Sequence, residues 1–317
     1  MNDRVVRLAD LLLAPLVLPA AALLREVRRT GLARMPVSRA IFRRVGVYPV
    51  RDHYYEPVFR RAAPDARERE LPGIDWNVDE QLRLLDRFDV AAELERFPLE
   101  RVGDGGFYYH NRFFESGDAE FLYALLRTLR PRRLYEIGSG FSTLMARAAI
   151  RRNAELDPTY RCEHVCIEPY ENRWLDHLGI RIVRERVEAL DPGSFAPLAA
   201  GDVLFIDSSH VVRAGGDVVY EYLRLLPTLA PGVFVHVHDI FSPRDYPARW
   251  RDDELLLWNE QYLVEAFLSF NTRFRIVGAL NFLAHHHREA LAARFPVYAR
   301  EAAFREPASL WLVSAAG

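Results

Sequence analysis

The chain has 317 residues, half of them hydrophobic, and a net charge of −2 from 42 basic and 44 acidic side chains. That length supports one large core or two modest ones, and the balanced charge leaves no electrostatic footprint for a nucleic-acid partner. Every basic residue is arginine, which excludes Schiff-base and pyridoxal chemistry and a phosphate-loop lysine.

At the N-terminus, Leu11–Leu24 is an uncharged apolar run of 14 residues, broken by Pro15 and Pro19 and flanked by Arg4, Arg7, Arg25, Arg28 and Arg29. It is shorter than the roughly 20 residues a bilayer-spanning helix needs. Three readings stay open: docking on the chain's own domain or a dimer mate, peripheral membrane contact with arginines reaching the headgroups, or a signal cleaved near Ala20-Ala21-Ala22. Residues 35–100, rich in Arg, Pro and aromatics such as Tyr48, Tyr54, Tyr55 and Trp76, predict an irregular, partly helical cap. The expected division is 1–100 for this segment and cap, and 101–317 for the main domain.

Residues 133–143, Arg-Leu-Tyr-Glu-Ile-Gly-Ser-Gly-Phe-Ser-Thr, predict an apolar strand that ends in an acid and two close glycines. Gly138 and Gly140 let backbone approach a ligand, and Glu136 offers an acceptor. A dinucleotide fingerprint would place a third glycine at position 143, where this chain has Thr, and a cationic ligand without phosphates gains from the carboxylate. The pattern favours S-adenosylmethionine over NAD.

A second strand, 161–167, ends at Glu168, one βαβ unit later, where a carboxylate can accept hydrogen bonds from ribose hydroxyls. It carries Cys162 and Cys166, the only cysteines, at i, i+4, so neither a disulfide framework nor a zinc site is expected, and a reducing cytoplasm fits. A third strand covers 180–187, followed by Glu188. Asp202–Asp207 and Gly232–Asp239 read as buried parallel strands that both end in Asp, separated by a helix over 216–229. A helix around 254–270 and strands over 273–283 and 309–314 complete the alternation, which predicts a doubly wound α/β sheet with its strand C-termini along one edge. His285-His286-His287 follows the sixth strand as a solvated run.

Two sets of residues carry a family resemblance. Glu136-Ile-Gly138-Ser139-Gly140 resembles motif I of the class I S-adenosylmethionine-dependent methyltransferases, which implies a Rossmann-like, seven-stranded, mostly parallel sheet with an antiparallel last strand. The resemblance implies that Glu136, Gly138, Ser139, Gly140, Glu168, Glu188 and Asp207 bind the cofactor, with Glu188 near the adenine, and that the segment Tyr109-His110-Asn111-Arg112 closes the pocket. Asp207-Ser-Ser-His210 with His238-Asp239 resembles the constellation of macrocin-type and rhamnosyl sugar O-methyltransferases. It implies a divalent cation on Asp207, His238 and Asp239, His210 as the base for the acceptor hydroxyl, and a saccharide or glycosylated small molecule as acceptor. His238 stands where the family's metal enzymes tend to have an acid, and a mixed His/Asp set suits a transition metal better than magnesium.

Phe107, Tyr108, Tyr109 and Phe141 are candidates to face the sulfonium. Trp258-Asn-Glu-Gln-Tyr262 reads either as an acceptor contact or as a packed helix start. Two other functions stay open: a non-catalytic cofactor-binding protein recruited to membrane-bound glycan assembly, and an NAD-dependent reductase. The oligomeric state stays open as well.

Overall fold

The computed structural model describes residues 3–53, 55–57, 68–103, 105–170 and 173–316, so Tyr54 lies outside it. The chain divides into two compact units, Met1–Asp65 and Ala66–Gly317. The first holds helices α1 (Asp3–Thr30) and α2 (Pro36–Val45), and α1 runs unbroken through Pro15 and Pro19. By length and composition the helix is long and apolar enough to cross a membrane, although its uncharged run of 14 residues is by itself too short.

The division falls at 65/66 rather than 100/101 for a physical reason. Helices α3 (Val78–Asp86) and α4 (Ala91–Leu94) belong to the core of the second unit, with Leu84, Leu85, Phe88 and Leu94 buried in it. The remaining helices are α5 (Asp118–Leu129), α6 (Phe141–Leu156), α7 (Asp217–Tyr220), α8 (Glu260–Leu268), α9 (Leu280–His286), α10 (Arg288–Arg294) and α11 (Pro296–Glu301).

Seven strands form one sheet: β1 (Arg133–Ile137), β2 (Glu163–Ile167), β3 (Arg181–Val183), β4 (Val203–Ile206), β5 (Phe234–Val237), β6 (Phe274–Ala279) and β7 (Leu310–Ser314). Their order is β3-β2-β1-β4-β5-β7-β6, with β7 antiparallel to both neighbours. Successive side chains of a strand point to opposite faces. In β4, Val203 and Phe205 therefore join the core beneath α5 and α6, while Leu204 and Ile206 join the core on the other face. The sheet's edges are covered or short, as exposed edges demand. Asn77 Nδ2 donates to the Ile276 carbonyl and Gln81 Oε1 accepts from Ala279 N–H along β6, and β3 has three residues.

Several boundaries differ from the sequence expectation. The sixth strand ends at Ala279, and residues 280–286 turn helical, which puts His285 and His286 on a helix end beside Glu306 and Glu68. The helix expected over 216–229 is one α-turn followed by a π-turn and a 3₁₀ turn, with Pro227 in the last.

Candidate active site

The strand order reverses between β1 and β4, and ligands of open α/β sheets bind at the carboxyl ends of strands at such a switch point. A cavity of about 870 Å³ opens there. Backbone bonds carry the ladder past the strand ends: Gly138 N–H donates to Ile167, Asp207 N–H to Ile137, and His238 N–H to Ile206. Gly138 has φ +80°, and a Cβ on it would collide with the Asp207 carbonyl oxygen, so glycine alone lets the first loop lie against the end of β4.

Gly138, Ser139, Gly140, Glu168, Glu188 and Asp207 all line the cavity. Glu168 is buried, with Oε1 accepting from Tyr170 N–H at 2.8 Å. Glu188 stands in a 3₁₀ turn with Arg186 Nε at 3.6 Å. Glu136 is a correction. Alternation along β1 turns it under the first turn of α6, where its carboxylate accepts from Thr143 Oγ1 at 2.8 Å and pairs with His164 Nε2. Thr143 Oγ1 also accepts from Gly140 N–H at 3.1 Å, so the residue at the third-glycine position braces the loop from behind.

The aromatic candidates divide the same way. Tyr108 and Phe141 line the cavity, whereas Phe107 and Tyr109 are core residues, with the Tyr109 hydroxyl donating to the Leu94 carbonyl. Phe113, which the sequence reading passed over, stacks on Phe141 with centroids 6.1 Å apart and completes an aromatic wall. Asn111 does not reach a ligand: its side chain bonds the backbone of residues 108, 113 and 114, fixing the turn beneath that wall. Neither His110 nor Arg112 lines the cavity either; His110 bridges Glu100 and Glu301.

Asp207 and Asp239 meet at the rim, and His210 lies between them. His210 Nε2 is 3.3 Å from Asp207 Oδ1 and 3.5 Å from Asp239 Oδ2, and its Nδ1 is 2.9 Å from Glu260 Oε2. His210 and Asp239 both hold left-handed backbone, φ +58° and +57°, a conformation uncommon outside glycine. The start of α8 holds the first in place, because Asn259 and Glu260 N–H both donate to the His210 carbonyl.

Electrostatics bind the group together. Burial alone would discharge the His210 imidazole, but the hydrogen bonds to Asp207 and Glu260 raise its pKa well above 6.5. Burial likewise opposes Asp207 ionisation, yet the His210 hydrogen bond and the nearby histidine charges hold its carboxyl at about 2. Burial pushes the Asp239 carboxyl up.

His238 is the second correction. It continues the face of His236, whose ring stacks on Phe205, and lies beneath the sheet edge with its ring 5.2 Å from Phe114. The atoms within 4.8 Å of one another belong to Asp207, His210 and Asp239, while His238 reaches only Asp239, with Nε2 3.7 Å from Oδ1. In the Trp258–Tyr262 segment the Trp258 ring is 4.4 Å from His210 and Asn259 Oδ1 accepts from Val212 N–H, while Tyr262 is exposed. Glu260, the buried partner of His210 and of the Tyr222 hydroxyl, was noted only as a polar group of that helix start.

A family model described as a methyltransferase domain matches residues 135–240, from the middle of β1 to just past Asp239. Over that third of the chain the sequence is similar to the methyltransferase-domain family. Its match includes every expected cofactor and metal residue named above. An uncharacterized protein of Archaeoglobus fulgidus is 33% identical over 149 residues, which are 44% of this chain, and the chain spans 66% of that relative's length. Among solved structures, the O-methyltransferase TomG of Streptomyces achromogenes in complex with SAM is 14% identical, covering 81% of this chain and 94% of that one at a TM-score of 0.37. The O-methyltransferase of Bacillus cereus in complex with SAH is 12% identical, covering 75% and 91% at 0.35. The fold itself is established by the chain's own sheet order and strand pairing.

Proposed function

We propose that this methyltransferase domain moves a methyl group from S-adenosylmethionine to an oxygen of a saccharide or glycosylated small molecule, with a divalent cation at the acceptor end. One observation carries the reading: Asp207 belongs to two structures at once. Its backbone is the wall that Gly138 closes on in the donor cavity, and its carboxylate is one corner of the Asp207–His210–Asp239 group. Donor and acceptor chemistry therefore meet on one residue. The exposed rings of Phe113 and Tyr170 at the same cavity suit the apolar faces of a sugar.

The residues fit a cation by their charges and orientation. Asp207, Asp239 and Glu260 gather three carboxylates about His210, with His238 Nε2 3.7 Å from Asp239, a mixed oxygen and nitrogen set able to hold a cation. The Glu260 carboxylate on Nδ1 leaves Nε2 as the free donor atom directed at both aspartates, the arrangement usual for metal-bound histidine. Asp207, His210 and Asp239 would hold the cation, and two oxygens with one nitrogen suit manganese, iron or zinc better than magnesium. When bound, such a cation makes a hydroxyl more acidic and orients it.

The chain's own residues do the rest. Gly138, Ser139 and Gly140 seat the donor and Glu168 offers an acceptor to its ribose. Tyr108, Phe113 and Phe141 present ring faces to a sulfonium and keep water out. In-line transfer needs alignment and a deprotonated oxygen, and the rim group serves the second.

The test is methyl transfer to a panel of glycosides, with and without a chelator. Turnover should vanish on chelation and return with manganese. His210→Ala should keep the affinity for S-adenosylhomocysteine within a few-fold while losing about 10²-fold or more in turnover. Chelator-resistant turnover in the wild type would remove the cation from the reading and leave His210 as a lone base.

A further inference from the structure

The first unit holds a feature that the methyltransferase reading does not use. Residues 4–23 of α1 are exposed, and Leu11–Leu24 contains no charged or polar side chain on any face of the helix. Exposures of 71% at Leu12, 67% at Leu16 and 77% at Leu18 leave the run uncovered by the described residues of its own unit. A helix apolar all round has no polar face to lie on a surface with, so it belongs inside an apolar medium. Pro15 and Pro19 lead to the same conclusion. Each costs about 3 kcal/mol in a water-exposed helix interior and is tolerated in hydrocarbon, where unpaired backbone groups force the helical form.

Charge specifies the surface. Residues 25–44 carry seven arginines and one acid, Glu26, while residues 1–10 carry two of each sign. Helix α2 sits in this basic stretch with no buried residue, and Val37, Ile41 and Val45 stand exposed at i, i+4 and i+8 with Arg39, Arg43 and Arg44 around them. An apolar stripe among arginines matches an anionic headgroup layer, where each cation contributes about 1 kcal/mol. We propose that α1 inserts into a lipid bilayer and that α2 lies on its anionic surface, with the arginine-rich end, and hence the chain after it, on the cytoplasmic side.

The full chain tests this by flotation with vesicles of phosphatidylcholine alone or mixed with phosphatidylglycerol. The wild type should float with the mixed vesicles and stay bound through a high-salt wash. The combined change Leu12→Asp, Leu16→Asp, Leu18→Asp should lower the bound fraction roughly tenfold while leaving S-adenosylhomocysteine affinity unchanged, which shows that the fold is intact. Arg39→Ser, Arg43→Ser, Arg44→Ser should remove the preference for the anionic vesicles. The proposal is overturned if the wild type stays in the soluble fraction, if it is a dimer that these Asp changes dissociate without any lipid, or if mass spectrometry finds the mature chain beginning after Ala22.

Discussion

At the scale of single residues, the site depends on which way a few side chains turn. His236 on β5 and His238 just past its end are two positions apart, so alternation sends both to the same packed face. Asp239, one residue on and in left-handed backbone, swings to the rim instead. The family resemblance put His238 in the expected ligand set, and the sequence does not show where the strand stops alternating. Glu260 was hidden for a different reason: it meets His210 across 50 residues, a distance no local pattern reports. We expect Glu260→Gln to lower turnover about 10- to 100-fold and weaken manganese binding while leaving S-adenosylhomocysteine affinity unchanged, and Glu260→Asp to recover part of the loss. A merely structural role would instead lower donor affinity and melting temperature together. Gly138→Ala should abolish S-adenosylhomocysteine binding. The left-handed conformation alone costs about 1–2 kcal/mol for a residue with a Cβ, and the collision with Asp207 displaces the loop further.

At the scale of elements, the strands were legible because buried parallel strands are written as short β-branched and aromatic runs, and all seven fall within the predicted segments. Helices were less so. Residues 280–283 continue the apolar character of the strand before them, so the sequence does not mark the switch to helix, where Phe282 stacks on Trp76 with centroids 4.7 Å apart. The place of α4 in the main unit was equally invisible, because long-range contacts set it: Leu94 is buried in the core and Glu93 joins an ion pair with α5. Glu93 accepts from Arg127 Nε at 2.9 Å and Nη2 at 3.0 Å on α5, and from the Tyr123 hydroxyl at 2.6 Å. The Arg127 hydrogen bond outweighs burial and holds the Glu93 carboxyl at about 2, below its ordinary 4.5. The stabilisation is therefore complete above pH 4.5 and is lost as pH falls through 2. Glu93→Gln should lower stability at neutral pH by about 2 kcal/mol and flatten this acid dependence, as denaturant titrations across that range would show. Identical acid curves for the two proteins would disprove the coupling.

At the scale of the whole catalytic unit, the order β3-β2-β1-β4-β5-β7-β6 explains why residues from four strand ends share one cavity. Parallel strands with right-handed crossovers place every carboxyl end on one edge, and the reversal between β1 and β4 opens the crevice there. Glu168, Glu188, Asp207 and the glycine loop were readable as one site for that reason, since each follows a strand in the sequence. The exposed rings of Phe113 and Tyr170 at the cavity were not, because no local pattern marks them. The central claim is that the cavity at this crevice seats a sulfonium-bearing nucleoside. Titration calorimetry of the full chain with S-adenosylmethionine, S-adenosylhomocysteine and NAD tests it most directly. Saturable one-site binding of the first two and none of NAD, with binding lost in Gly138→Ala, is the expected result; binding of NAD in place of both would contradict it.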